Sequence, residues 1–297
     1  MDRLEAMLVF TRVSERRSFT LAARDLGLPA STVTEAVKQL EARLGVRLLQ
    51  RTTRHVRPTL DGEAYYARCI AILSEIEDAE GGFRGAKPRG VLRIDVQGGL
   101  ARRFILPALP RFLADYPDLT IHMSEGDRLV DLVREGIDCV LRVGVPQDSD
   151  MIARRVAMLE EVTVCSPSYI AAFGRPERWD RLSGHRMVGF MSSARGQVLP
   201  LEFLVDGVAR EVTLPSIMTV NAAQSYGEAG RHGLGLIQAP RYGLADFLAR
   251  GELVEVLRET PPSPSPVSLL YPRSRQLSPR LRVFIDWAAG LFQGQTI

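Results

Sequence analysis

Residues 16 to 57 read RRSFTLAARDLGLPASTVTEAVKQLEARLGVRLLQRTTRHVR. Ser18 can cap a short helix running through Leu26, Gly27 permits a tight turn, and a second helix is expected from about Ala30 to Arg43 until Gly45 ends it. On that second helix Val33, Val37, Leu40 and Leu44 fall at i, i+4, i+7 and i+11, one apolar stripe that packs against the preceding helices. The opposite face then carries Ser31, Thr34, Glu35 and Lys38, short or polar side chains able to approach base edges and phosphates in a groove about 12 Å wide. Ala22 and Ala23 let the two helices cross closely. This is the layout of a helix-turn-helix, although any amphipathic helix pair in a small bundle carries such stripes.

The next segment separates those two readings. Arg47, Arg51, Arg54 and Arg57 recur between short β-prone pieces at Leu48-Leu49 and His55-Val56, which makes a basic wing. From Met1 to Arg57 there are 11 Arg and Lys against 6 Asp and Glu, a balance of +5, while the whole chain carries only +3, so the remainder is about −2. Positive charge concentrated in this way supplies the phosphate contacts that dominate DNA affinity and make it fall with salt.

The ordered run of residues around this unit resembles the LysR-type transcriptional regulators. It comprises Met7, Phe10 and Val13 on a first helix, Ser18-Phe19-Thr20-Leu21-Ala22-Ala23, and Leu26-Gly27-Leu28. It continues through Leu40-Glu41-Ala42-Arg43-Leu44-Gly45-Val46-Arg47-Leu48-Leu49 and Arg51-Thr52-Thr53-Arg54 to Thr59-Leu60-Asp61-Gly62. The resemblance spans about the first 85 residues without a gap. It implies an all-α winged helix-turn-helix over residues 1–59, whose DNA-facing set is Ser18, Thr20, Ser31, Thr32, Thr34, Glu35, Lys38, Arg51, Arg54 and Arg57. The chain departs from the family inside the recognition helix. Where many members show Ser-Gln-Pro-x-x-Ser-Arg, Ala30 replaces the amide and Glu35 the cation, so base preference should differ. A carboxylate is repelled by phosphates yet can accept from a cytosine amino group, so Glu35 either reads sequence or simply faces solvent.

From Leu60 to Phe83 one long helix is expected, with Tyr65, Cys69, Ile72, Ile76, Ala79 and Phe83 spaced 4, 3, 4, 3 and 4. That heptad seam can pair with a second copy or lie against the chain's own domain, and Glu75, Glu77, Asp78 and Glu80 keep it soluble. By the resemblance it is the linker helix that sets a dimer, placing two recognition helices about 34 Å apart or a multiple of that. Gly81-Gly82 and Gly85-Ala86-Lys87-Pro88-Arg89-Gly90 then break the helix, so residues 60–90 form linker and hinge and a new domain starts at Val91.

Residues 91–297 alternate short β-branched runs with helical periods. Strands are expected at 91–96, 119–123, 139–143, 162–165, 187–190, 217–220 and 267–271, and helices at 102–116, 128–135, 167–173, 222–232, 241–250 and 279–292. Such alternation argues for α/β units around largely parallel sheets. The resemblance implies a two-lobed, periplasmic-binding-protein-like effector domain, with a first lobe of about 91–160 plus 267–297 and a second of about 161–266. Closure of a cleft between lobes is a common way to sense a small ligand.

Within that cleft, strand 91–96 runs into Gln97-Gly98-Gly99-Leu100 and then Arg102 and Arg103, an arrangement that invites a carboxylate onto free helix-start amides. An ordinary tight turn is the alternative. The family often has a Ser or Thr hydroxyl near Gly99, and its absence leaves only the amides. Other cleft positions implied by the resemblance are Asp127, Arg142 and Val145 in the first lobe and Phe190, Gln224, Tyr226 and Gln238 in the second. Arg142 could pair a ligand carboxylate bidentately or hold an internal acid such as Asp138.

Other features bound the problem. Cys69, Cys139 and Cys165 are odd in number and widely spaced, which fits a reducing cytoplasm and offers neither a disulfide framework nor a zinc pattern. His55, His122, His185 and His232 lack short-spaced partners, so no metal, cofactor or catalytic triad is expected. No apolar run reaches about 18 residues and Met1-Asp2-Arg3 opens no signal peptide, so a cytoplasmic protein without a membrane span is expected. Thr260-Pro261-Pro262-Ser263-Pro264-Ser265-Pro266 reads as an extended surface connection.

The expected function is therefore a sequence-specific, effector-controlled DNA-binding regulator that catalyses no reaction. Its expected partners are double-stranded DNA, a small-molecule effector with carboxylates as one candidate class, a second copy in a homodimer or homotetramer, and RNA polymerase as a further contact. Two other classes stay open at this point. One is a solute-binding or enzymatic α/β domain with an amino-terminal dimerisation module, against which the wing arginines argue. The other is a ligand-free architectural DNA binder, against which the size of the second domain argues.

Overall fold

A computed structural model describes residues 1–51, 56–82, 87–127, 132–144, 151–193, 195–273 and 277–293. The chain divides into two compact units. One comprises Met1–Lys87, Asp131–Ile137 and Gln276–Pro279, and the other Pro88–Val130, Asp138–Arg275 and Arg280–Ile297.

In the first unit α1 (Arg3–Arg16) opens with a capping box, in which the Asp2 carboxylate accepts from Glu5 N at 2.7 Å and Glu5 accepts from Asp2 N at 3.1 Å. Ser18 caps α2 (Phe19–Leu26) through Leu21 N, and α3 (Ala30–Leu44) starts after Pro29. Gly27 and Gly45 end these two helices in the left-handed region, at φ +64° and +71°. Val9, Phe10, Val13, Ala22, Ala23, Val33, Ala36, Val37 and Leu40 form the core between the three helices. Each fully buried Val, Leu or Phe there contributes roughly 1.5–3 kcal/mol. The stripe on α3 differs in one member from the sequence expectation. Leu44, the last residue of the helix, is exposed, and Ala36 joins Val33, Val37 and Leu40 on the buried face.

The strands β1 (Leu49–Arg51) and β2 (Val56–Pro58) pair antiparallel, Gln50 opposite Arg57, one residue later than the β-prone pieces suggest. Helix α4 (Leu60–Gly82) follows. Its first turns do not wait for a partner. Cys69 is buried in the three-helix core and Tyr65 packs on Phe10 with ring centroids 5.6 Å apart, so this half of the heptad seam covers its own domain. Ile72 is exposed, whereas Phe83 and the side chain of Ala79 fall outside the described residues.

The second unit contains two lobes. The first is built on β3 (Gly90–Val96), α5 (Gly98–Leu100), a π-helical turn (Ala101–Ile105), α6 (Leu106–Asp115), β4 (Leu119–Glu125), β5 (Cys139–Val143) and β6 (Met151–Leu159), while α7 (Leu132–Glu135), between β4 and β5 in the chain, belongs to the first unit. The chain crosses into β7 (Glu161–Cys165), α8 (Pro167–Phe173), β8 (Met187–Ser192), β9 (Gln197–Leu199), β10 (Leu201–Val205), β11 (Val208–Val212), β12 (Ser216–Val220), α9 (Ala223–Arg231), β13 (Ile237–Pro240), α10 (Arg241–Ala249) and β14 (Val254–Glu255). It returns through β15 (Ser265–Pro272) and ends with α11 (Pro279–Leu291).

The first lobe's sheet has the order β4-β3-β5-β15-β6, and the second lobe has the sheets β13-β7-β14 and β12-β8-β9 and the hairpin β10-β11. The five-stranded sheet and β12-β8-β9 are mixed and β13-β7-β14 is antiparallel, so the sheets are not largely parallel. The pairs β3-β4, β3-β5 and β8-β12 are parallel, while the returning β15 pairs antiparallel with both β5 and β6. The reason is topological: a strand that comes back from another lobe can enter beside the last strand in either sense. Of the expected helix at 128–135, only Leu132–Glu135 lies within the described residues.

Candidate nucleic-acid interface and interlobe cleft

Helix α3 buries Val33, Ala36, Val37 and Leu40, and this fixes what it shows outward. Ser31, Glu35 and Lys38 are exposed at i, i+4 and i+7, while Thr32 and Thr34 flank them half-buried. Glu35 accepts from the Gln39 side-chain amide at 3.0 Å, which leaves its carboxylate on the outer face. Thr20 is exposed in the first turn of α2, whereas the Ser18 hydroxyl is occupied as the cap. Arg57 is exposed on β2. Arg51 lies on β1 with its side chain outside the described residues, and Arg54 lies outside them altogether.

Glu41 and Thr59 tie the wing to α3 and to the start of α4. Glu41 Oε1 on α3 accepts from Leu48 N at 2.8 Å and Leu49 N at 3.0 Å. Thr59 donates from its hydroxyl to Arg47 O at 2.7 Å and accepts from Gly62 N at 2.9 Å, joining the wing to the start of α4. A Cβ at Gly62 would lie 1.9 Å from Leu48 O, so only glycine permits this approach. The sequence showed Glu41, Thr59 and Gly62 as motif members without showing what they hold.

In the second unit Gln97 caps the short α5, its Oε1 accepting from Leu100 N at 2.9 Å. The same oxygen accepts from the Tyr242 hydroxyl of α10 at 3.2 Å. A Cβ at Gly99 would lie 3.0 Å from that hydroxyl, so this glycine sits where the lobes approach closely, whereas one at Gly98 would lie 3.0 Å from Glu125 Oε2 and 3.2 Å from Arg102 Nη2, both in its own lobe. Leu100 is buried in the first lobe. Arg102 is paired with Glu125 at 2.9 Å, and Arg103 is exposed.

Asp127, Arg142, Phe190, Tyr226 and Gln238, also expected in the cleft, have definite structural partners. Asp127 Oδ2 accepts from Ala223 N at 3.0 Å, beside Gln224, which is exposed at the start of α9. Arg142 is paired with Asp95, not with Asp138, because Asp95 faces it from the neighbouring β3 while Asp138 accepts from Arg93 N at 2.8 Å. Tyr226 is buried against Phe190 with centroids 5.1 Å apart, and its hydroxyl accepts from Gln238 N at 3.2 Å. Burial pushes the Tyr226 phenol up to about 12. The Gln238 amide is fully engaged, its Nε2 donating to Thr163 Oγ1 at 2.9 Å and Glu202 O at 2.8 Å and its Oε1 accepting from Glu202 N at 2.7 Å. Val145 lies outside the described residues. Tyr242 was not singled out from the sequence. Its contact with Gln97 joins positions far apart in the chain, and no local pattern marks it.

The similarity of both units to known proteins decides what this pairing of surfaces is. Residues 4–63 match the family described as bacterial regulatory helix-turn-helix protein, lysR family, and residues 85–293 match the LysR substrate binding domain. The chain is a LysR-type transcriptional regulator. Among its relatives is the HTH-type transcriptional regulator YhjC of Escherichia coli, 38% identical over 99% of both chains. An HTH-type transcriptional repressor of Pseudomonas aeruginosa is also 38% identical, over 98% of this chain and 93% of its own. Among solved structures, the full-length virulence activator AphB of Vibrio cholerae superposes with a TM-score of 0.60 at 26% identity, covering 97% of this chain and 99% of its own. CrgA of Neisseria meningitidis does so with a TM-score of 0.60 at 28% identity, covering 98% and 99%. This LysR-type regulator therefore has a helix-turn-helix that binds DNA and a carboxyl-terminal domain that binds an effector.

Proposed function

We propose that this regulator reads its operator through Ser31, Thr34, Glu35 and Lys38, with Thr20 and Thr32 at the margins and the wing arginines on flanking phosphates. The observation that carries this reading is the fixed outward face of α3, set by the burial of Val33, Ala36, Val37 and Leu40 behind it. It acts as a homodimer through the distal part of α4, since one recognition helix spans only a few base pairs. Its effector binds between the lobes near Gln97 to Leu100 and the start of α9, and small carboxylic acids are the first class to screen. It works in the cytoplasm as a regulator and not as a catalyst.

The test is a mobility shift of the purified protein on the intergenic DNA upstream of its own gene, at two salt concentrations, with an unrelated duplex as competitor. A shift that survives competition is expected. Binding that is abolished equally by either duplex, and only salt-sensitive, would count against sequence-specific reading of that region.

A further inference from the structure

Helix α9 begins without a cap of its own: Ala222 occupies the N-cap position and supplies no side-chain acceptor. The acceptor comes from the other lobe. Asp127, just beyond β4, takes the Ala223 N–H at 3.0 Å, which places a carboxylate at the positive end of the helix. The Asp127 carbonyl also accepts the Ser193 hydroxyl, at 2.7 Å, from the segment after β8. A second tie crosses between the same lobes, from the Tyr242 hydroxyl on α10 to Gln97 Oε1 on the first-lobe side. Burial, together with the negative charges of Asp127 and Glu161, raises the Tyr242 phenol, so it remains a donor at neutral pH.

We propose that Asp127–Ala223/Ser193 and Gln97–Tyr242 form a two-point clasp between the lobes, with Asp127 as a positioning residue whose carboxylate completes α9 only while the lobes are together. A serine or aspartate at position 222 would have capped α9 locally, with no dependence on the first lobe. Because the chain has alanine there, separating the lobes uncaps the helix and exposes the Gln97 amide at once, and the two losses reinforce one another. Both contacts lie between protein groups, so the clasp biases lobe geometry by itself. An effector changes that geometry only to the extent that its differential affinity for one arrangement outweighs the clasp. This deepens, and rests on, the reading of the interlobe cleft as the effector site.

Hydrogen exchange of the full-length protein, with neither DNA nor effector added, tests it at the first turn of α9, residues 223–226. Asp127→Ala should speed exchange there about five-fold, the scale of losing a helix cap, and Ser193→Ala by less. Tyr242→Phe is the discriminating variant, because it removes a hydroxyl bonded to Gln97 and not to α9. If the contacts act as one clasp, it too accelerates exchange at 223–226, by about three-fold. Wild-type exchange at 223–226 in Tyr242→Phe would overturn the proposal and leave two independent local contacts. Should Asp127→Ala lose protection throughout the chain, Tyr242→Phe and Ser193→Ala still decide. Repeating the exchange with benzoate or succinate added, as small carboxylic acids, separates the two readings: a cleft that takes neither leaves wild-type exchange unchanged while Tyr242→Phe still accelerates it at 223–226.

Discussion

In the proposed interface Arg57 and Thr34 act by different physics. Arg57 is an exposed cation on the wing strand, and the proposal pairs it with a phosphate, present at every sequence. Thr34 is half-buried on α3 beside the exposed Ser31, Glu35 and Lys38, and the proposal sets its hydroxyl against base edges. Arg57→Ala should weaken binding to all duplexes and lower the slope of log affinity against log salt by about 1. Thr34→Ala should leave that slope unchanged and alter the ranking among operator variants by about 1–2 kcal/mol. Titrations against an operator series at several salt concentrations check both, and parallel losses for the two variants would contradict the division. The cysteines give a second expectation at this scale. Burial pushes the thiols of Cys69 and Cys165 up to about 11 and that of Cys139 higher still, so none ionises at pH 8. Alkylation of the native chain at that pH should label none of the three, and all three once denaturant is added.

The join between wing and α4 is the element that a single methyl group tests most sharply. Gly62 lies in the first turn of α4 against the Leu48 carbonyl, and Thr59 holds that turn to Arg47. Gly62→Ala should cost about 3 kcal/mol in denaturant unfolding, because neither backbone can yield. A loss below half of that would mean the two elements separate easily. The helices of this unit were legible because Ser18, Gly27 and Gly45 mark ends by local chemistry, and the α3 stripe by its period. Leu44 misled because periodicity does not tell where the core stops. The β10–β11 hairpin was missed although Asp206-Gly207 stands between LEFLV and VAREV, and both residues take the left-handed conformation that such a turn needs. Strand β6 was missed for a better reason: Arg154 and Arg155 interrupt its apolar pattern, and it exists through its pairing with β15. The cleft contacts were the least legible, since Asp127 and Ala223 are joined only by the tertiary fold.

At the scale of the whole molecule, the chain joins a compact DNA-reading unit to a second unit whose strands cross between lobes at 159–161 and return at 265. Glu161 sits at that crossing, where burial holds its carboxyl up to about 7, Ser265 lowers it and Glu202 raises it. Between the ordinary value of 4.5 and about 7 the folded chain keeps a proton that the unfolded chain has released, so this group makes stability fall as pH rises through that window. Glu161→Gln should therefore raise the thermal midpoint relative to wild type more at pH 8 than at pH 5. An equal difference at both would show that the carboxyl is not desolvated at the crossing.

If paired copies of α3 read DNA, a hydroxyl-radical footprint of the full-length protein on its upstream intergenic DNA will show it, with wild type compared against Ser31→Ala/Glu35→Ala/Lys38→Ala. Two protected patches about 34 Å apart along the helix axis, or a multiple of that, are expected for wild type and should be lost in the triple variant at equal protein concentration. Equal protection by both proteins, or a single unpaired patch, would contradict it.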